Sequence, residues 1–320
     1  MDLGEQSISC LCFKSGNESV LYVSSGSVVN SFDMRNPATD KPLKCYNWNK
    51  EEINQIVCNS KGAFLASADD GGDVKIIDIN QDCPYKTLKG CHSSICSTVQ
   101  FVPWKPWDVI TGGLDSKIVV WNFSSGRPIN ILDLGTSDAS SALNAAQLLN
   151  PAFVHSLAVP DSDMLTKTNK ICVAARGDGV VDVIDLEEFA SRKQAKSRKG
   201  SQSKSKNSDA IRDVDNDSQI KNRFNLDFQL GGHTAAVSCV NFSLFGEKGK
   251  YIISGGNDKS VKVWDYTKYR GNASSTANKD ILTLNISLRK KVNWLCTTPN
   301  DSENLVVCDT SKTVKVFSVL

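Results

Sequence analysis

Three histidines occur in the 320 residues, and two of them stand with the residue types of a hydrolytic triad. His233 precedes Ser254 and Asp258, and His92 precedes Thr111 and Asp115. In both sets the acid follows the hydroxyl by four residues, and a tryptophan, Trp264 or Trp121, follows the acid by six. A histidine oriented by a carboxylate can deprotonate a neighbouring hydroxyl for attack on an acyl carbon. Cys91, His92 and Cys96 raise a second chemistry, metal binding, but no second ligand pair follows at zinc spacing. The glycines of "ADDGGDVK" (Ala68–Lys75) lack the lysine–hydroxyl pair of a phosphate loop, and no HExxH string occurs. The sequence therefore predicts no metal and no cofactor.

The elements that carry these residues recur. "AVSCVNFSLFGEKGKYIISGGNDKSVKVWDY" (Ala236–Tyr266) reads as an alternating strand, a loop, a β-rich strand, a Gly/Asp turn and another alternating strand. The same order appears at Ile53–Ile79 and Ser94–Phe123 and, more weakly, at Phe153–Leu186 and Lys291–Val319. A degenerate copy covers Ile8–Met34. Positions equivalent to Trp264 are Phe32, Ile77, Trp121, Ile184 and Phe317, separated in chain order by 45, 44, 63, 80 and 53 residues. The first two gaps match a propeller blade of about 40–45 residues. The longer gaps contain a small-residue loop (Gly135–Pro151), a low-complexity run and a polar tip (Gly271–Asp280). Surface insertions of this kind cost little loop-closure entropy. A catalytic set rarely occurs twice at blade spacing, so both sets are read as structural. The third histidine, His155, lies in a first-strand run and is read as packed or turn-bonded.

The length suits one large domain or two modest ones. Hydrophobic residues are 40% and charged residues 22%, and the net charge is +2. That balance does not suggest a nucleic-acid partner. No apolar run reaches the length of a membrane helix, and the first residues lack a secretory pattern. Eleven cysteines at irregular spacing, including Cys58, Cys172 and Cys308 in apolar runs, are expected to be buried thiols in an intracellular, reducing compartment.

The repeat resembles the WD40 family over nearly the whole chain. The residues carrying it are Gly-His at Gly231–His233 and Gly90–His92, Trp264–Asp265, and the near match Trp121–Asn122. The resemblance implies a β-propeller in which histidine, strand hydroxyl, turn aspartate and tryptophan form a hydrogen-bonded set within a blade. It assigns His233, Ser254, Asp258 and Trp264 to one set and His92, Thr111, Asp115 and Trp121 to another. Six blades are recognisable here, whereas the group it most resembles has seven. A shortened N-terminus and a ring that closes poorly or stays open are therefore expected, because "MDLGEQ" has little β propensity to supply a closing strand. The all-β domain is expected to span 1–320, with a disordered insertion at 188–223. Seven Lys/Arg lie between Arg192 and Lys206, followed by Asp209, Asp213, Asp215 and Asp217. The run reads as an import or polyanion patch, or as a solvated tether.

The resemblance also implies a function. WD40 propellers serve as rigid protein-binding disks, and some dock on the damage-binding adaptor of cullin-4-type RING ubiquitin ligases as substrate receptors. In those, x-Arg follows the closing Trp-Asp. Only "FDMR" fits here, with Phe32 replacing tryptophan, which marks Asp33 and Arg35 as the partner-binding candidates. The alternative is an ordinary exposed arginine on a generic assembly scaffold. The chain is expected to be non-catalytic, to bind other proteins and not membranes, and to be monomeric outside complexes.

Overall fold

The computed structural model describes residues 7–36, 41–135, 150–165, 169–191, 223–269, 280–299, 302 and 304–319. They form six antiparallel sheets, each a meander of sequence-adjacent strands. The first holds β1 (Ile8–Lys14), β2 (Asn17–Ser25), β3 (Val28–Asp33) and β4 (Lys44–Tyr46). The second holds β5 (Ile53–Cys58), β6 (Phe64–Asp69), β7 (Val74–Asp78) and β8 (Cys83–Leu88). The third holds β9 (Cys96–Phe101), β10 (Asp108–Gly113), β11 (Lys117–Asn122) and β12 (Arg127–Asp133). The fourth holds β13 (Val154–Ala158), β14 (Ile171–Arg176), β15 (Val181–Asp185) and β16 (Arg223–Leu226), with the short helix α1 (Leu186–Ser191) after β15. The fifth holds β17 (Val237–Phe242), β18 (Tyr251–Gly256), β19 (Ser260–Asp265) and β20 (Leu282–Ser287). The sixth has three strands among the described residues: β21 (Val292–Thr297), β22 (Asn304–Asp309) and β23 (Val314–Ser318).

The sheets are propeller blades, and their first strands are innermost. β1 packs beside β5, β5 beside β9, β9 beside β13, β13 beside β17, and β17 beside β21. Period-two alternation gives each middle strand two apolar faces, so each blade buries side chains against both neighbours. Val119 and Trp121 join the core between blades two and three, while Ile118 and Val120 join that between blades three and four. Five apolar cores of this kind link successive blades. No comparable packing joins β21 to β1 among the described residues, so a seam separates the sixth blade from the first.

Two local devices let the blades approach. Every first strand shifts register at its second residue, leaving Ser9, Asn54, Ser97, His155, Ser238 and Asn293 as the extra residues of six bulges. All six are polar. Asn54 donates to the Cys96 carbonyl of the next blade at 3.2 Å, and Ser97 donates to the Val154 carbonyl of the blade after that. The bulge thus turns a polar side chain into an inter-blade tie. Glycine is the second device. A Cβ on Gly112 would lie 2.4 Å from Val154 Cγ1, and one on Gly255 would lie 2.5 Å from Val292 Cγ1.

The insertion is narrower than the expected 188–223. Glu188–Ser191 belong to α1, whose buried Phe189 packs on the third blade and whose carbonyl accepts from Asn130 Nδ2 at 2.7 Å. Arg223 opens β16 and is paired with Asp182. Apolar Phe189 and the ion pair hold these ends in the fold. The run does hang between third and fourth strands, but 192–222 lie outside the described residues, as do 136–149 and 270–279. The cysteines are also less buried than expected: Cys96, Cys172 and Cys239 are buried, Cys58 and Cys308 are half-buried, and Cys45 and Cys296 are exposed. Alternation explains Cys45, Cys296 and Cys308, which stand on the face of an end blade turned away from its described neighbour.

Gly112→Ala and Gly255→Ala are each expected to destabilise the fold by about 1–3 kcal/mol, because the neighbouring valine must move. The measurement is a lower urea midpoint at unchanged slope.

Candidate interaction site

The two triad-like sets are assembled, and their geometry assigns them to structure. His233 Nδ1 lies 3.0 Å from Asp258 Oδ1, and its Nε2 lies 2.8 Å from Ser254 Oγ. Trp264 Nε1 donates to the same Ser254 Oγ at 2.9 Å. The other blade repeats this: His92 to Asp115 at 3.0 Å, His92 to Thr111 at 2.8 Å, and Trp121 to Thr111 at 2.9 Å. The network fixes the protons. An ionised aspartate can only accept, so Nδ1 carries the hydrogen and Nε2 accepts from the hydroxyl. The hydroxyl oxygen in turn accepts the indole N–H. In a nucleophile that lone pair would face a substrate, but here it is filled, and His233, Ser254 and Trp264 are buried. Asp258 also accepts from Thr234 N at 3.1 Å and Ser260 Oγ at 2.8 Å. It therefore ties the loop before the first strand to the turn between the second and third.

Electrostatics supports the assignment. Burial lowers the His233 pKa and outweighs Asp258, so the ring is neutral at pH 7. Burial raises Asp258, but hydrogen bonds from His233, Ser260 and Thr234 outweigh it and keep the carboxyl below its ordinary range. His92 spends both ring nitrogens in its set, so it is not available to a metal with Cys91 and Cys96. Among the described residues no group of three or more His, Cys, Asp or Glu could hold a metal ion.

Three other blades build different polar clusters in the corresponding region. In the second, Ser67 donates to Asn49 Oδ1 at 2.7 Å, and Asn49 Nδ2 donates to Asp69 at 2.8 Å. Asparagine replaces histidine, and the acid stands two residues after the serine. In the fourth, Asp178 keeps the turn position but pairs with Arg176, while buried Asp182 accepts from Arg223 at 2.7 Å and Arg176 at 3.4 Å. In the sixth, Lys315 pairs with Asp309. Sequence reasoning missed these clusters because their residue types and offsets all differ. Of these residues only Asn49 follows a fourth strand, and asparagine in a loop has many uses.

The candidates Asp33 and Arg35 lie at the opposite end of the blade, where the third strand exits. Arg35 donates from Nε to Asp33 Oδ1 at 2.9 Å and from Nη2 to Oδ2 at 2.7 Å. Its backbone N–H donates to the same Oδ1 at 3.0 Å. These bonds hold the Asp33 carboxyl at a pKa of about 2. The guanidinium is fixed by a bidentate fork, yet the side chain is 74% exposed. Equivalent residues cap their own turns: Asp78 accepts from Asn80 N at 2.9 Å, Asn122 from Ser125 N at 3.0 Å, and Asp185 from Glu188 N at 2.9 Å. Exposed Met34 adjoins the arginine.

Ser254→Ala and Trp264→Phe are each expected to cost about 1–3 kcal/mol, with a double mutant well short of the sum, since both cut one chain of bonds. A urea double-mutant cycle measures this. Acid is expected to destabilise the set. A folded-state pKa below the unfolded value means protons favour the unfolded chain, so the stability contribution is complete above about 6.5 and declines below it. Between about pH 7.5 and about pH 5.5, Tm should fall more for the native chain than for His233→Gln.

Known proteins share this pattern. The family described as "WD domain, G-beta repeat" matches residues 82–122 and 224–265. These segments run from β8 to β11 and from β16 to β19, so one sequence repeat joins the outer strand of a blade to three strands of the next. They contain the two histidine sets. The WD repeat-containing protein 53 homolog of Dictyostelium discoideum is 23% identical over 97% of this chain and 78% of its own length. Protein NEDD1 of Bos taurus is 25% identical over 42% of this chain and 22% of its own length. The solved structure of U3-55K superposes with a TM-score of 0.65 at 14% identity, covering 98% of this chain and 78% of that one. This chain thus carries WD40 repeats: two match the family model in sequence, and the first three strands keep one order in all six blades.

Proposed function

We propose that this chain is a non-catalytic interaction scaffold that docks a partner protein through the Asp33–Arg35 corner of its first blade. The observation carrying the proposal is the guanidinium fixed by Asp33 and presented to solvent beside Met34. A planar fork held in one orientation loses little entropy on binding and suits a carboxylate or paired carbonyls. The partner we propose is the damage-binding adaptor of a cullin-4-type RING ubiquitin ligase, with the propeller as intracellular substrate receptor. The support is the Asp-x-Arg string at the end of a third strand. A generic assembly scaffold, with Arg35 an ordinary exposed arginine, is the other reading.

Co-precipitation with the adaptor tests this. The native chain is expected to retain the adaptor, and both Arg35→Ala and Arg35→Lys to lose it, since lysine cannot reproduce the fork. Tm should be unchanged in both, because the side chain is exposed. Absent binding, or binding indifferent to Arg35, selects the generic scaffold.

A further inference from the structure

Two exposed aromatic rings meet between the second and third blades, and what they imply does not depend on the Asp33–Arg35 reading. Tyr85 and Trp107 are 37% and 42% exposed. Their rings are inclined by only 21°, with centroids 6.5 Å apart. Two sheltered rings support them. Phe64 lies 5.0 Å from Tyr85 and 6.0 Å from Trp107, and buried Phe123 lies 6.2 and 5.4 Å from the same two. Each blade contributes one outer ring. Tyr85 is the extra residue of a bulge where β8 pairs with β7, and a bulge re-aims its side chain. Trp107 precedes β10 in a turn closed by a 3.0 Å bond from Asp108 N to the Lys105 carbonyl, with Pro103 and Pro106 fixing the backbone around it. The next junction is built differently. There the equivalent bulge residue of β12, Ile129, packs on the core that Phe189 of α1 joins, whereas no described element covers Tyr85 and Trp107.

The free polar groups around these rings are donors. Trp107 Nε1 can only donate, and neither it nor the Tyr85 hydroxyl has a hydrogen-bond partner among the described residues. Lys86 lays its stem on the β11–β12 turn, where a Cβ on Gly126 would lie 3.1 Å from Lys86 Cδ, and exposed Arg127 follows that glycine. Neither cation has an acidic partner among the described residues. The neighbouring acids are engaged: Asp78 accepts from Asn80 N at 2.9 Å and Gln81 N at 3.0 Å, and buried Asp108 lies 3.8 Å from Lys105 Nζ. A proline-rich segment complements this set. As a polyproline II helix it makes no internal hydrogen bonds, so its carbonyls are free to accept, and its prolines bring no N–H that needs an acceptor. Its rings pack on aromatic faces, and its preformed helix loses little entropy on binding. A cationic side chain also suits aromatic faces, but here it would meet Lys86 and Arg127.

We propose that Tyr85 and Trp107 form a docking site for a proline-rich segment of a partner protein, with acidic residues flanking the prolines. A proline ring packs against the two outer rings, and Trp107 Nε1 and the Tyr85 hydroxyl donate to carbonyls of the segment. Lys86 and Arg127 meet its acids and set its direction.

The probe is a labelled peptide of about six prolines flanked by aspartates, titrated against the full chain by fluorescence anisotropy. Saturable binding below about 1 mM is expected, weakened about tenfold by Trp107→Ala or by Tyr85→Ala. Trp107→Phe and Tyr85→Phe keep a ring and remove the donor, so each should weaken binding several-fold with Tm unchanged. Lys86→Glu combined with Arg127→Glu should weaken binding at low salt and little at high salt. Arg35→Ala should leave it unchanged, which separates this site from the adaptor-docking reading. No saturation up to about 1 mM, equal binding of a peptide with alanines in place of the prolines, or indifference to all four aromatic variants overturns the proposal. Tighter binding of a trimethyl-lysine peptide or of single-stranded oligouridine also overturns it, in favour of a cation cage or a base-stacking platform.

Discussion

Each blade has two apolar faces and can cover neither by itself. A twisted sheet with alternating side chains must place half of them on each side, and both halves here are apolar along the middle strands. Blades therefore stabilise one another in series, as repeat arrays do. The bulged first strands and the glycines at Gly112 and Gly255 serve this packing by letting inner strands approach. The same constraint explains the seam. Among the described residues the first and last blades each pack on one neighbour, and Leu11 and Phe13 on one side and Trp294, Val314 and Val316 on the other are exposed.

The buried polar clusters address a second need within this packing. The loop before each first strand and the turn between second and third strands meet at one end of the blade, where apolar packing gives way to polar groups. A fully satisfied network can hold those segments together, while a partly satisfied one is costly. The third and fifth blades use Asp–His–hydroxyl–Trp, the second uses Asp–Asn–Ser, the fourth uses arginine and aspartate, and the sixth uses lysine and aspartate. Chemistry varies from blade to blade, and only the second, third and fifth blades draw a cluster residue from the loop before the first strand. The Asp33–Arg35 fork is different: it lies at the other end of the blade and points its guanidinium outward.

Strand order, six units and the two histidine sets were legible in the sequence because each is a local pattern. Alternation and Gly/Asp turns are written within about thirty residues, and a hydroxyl, an acid and an indole at fixed offsets within one hairpin must meet once it forms. Asn49 with Ser67 and Asp69 was not legible, because asparagine in a loop has many uses and the acid sits at a different offset. The bulge residues were not legible either, since a serine at a strand start looks the same paired or bulged. Phe189 was read as part of a low-complexity run because one apolar residue among charges carries no period.

The sequence by itself determined the repeat, the blade architecture and the place of each closing aspartate, because these depend on side-chain period and turn chemistry close in the chain. Only the tertiary structure decided which polar groups pair across long separations, such as Asp182 with Arg223, and that Asp33 clasps Arg35 without burying it. It alone also decided that an apolar groove opens between the fifth and sixth blades. The physical reason is curvature. How far each blade turns from the last sets which distant residues meet, and that angle comes from the summed packing of all the faces.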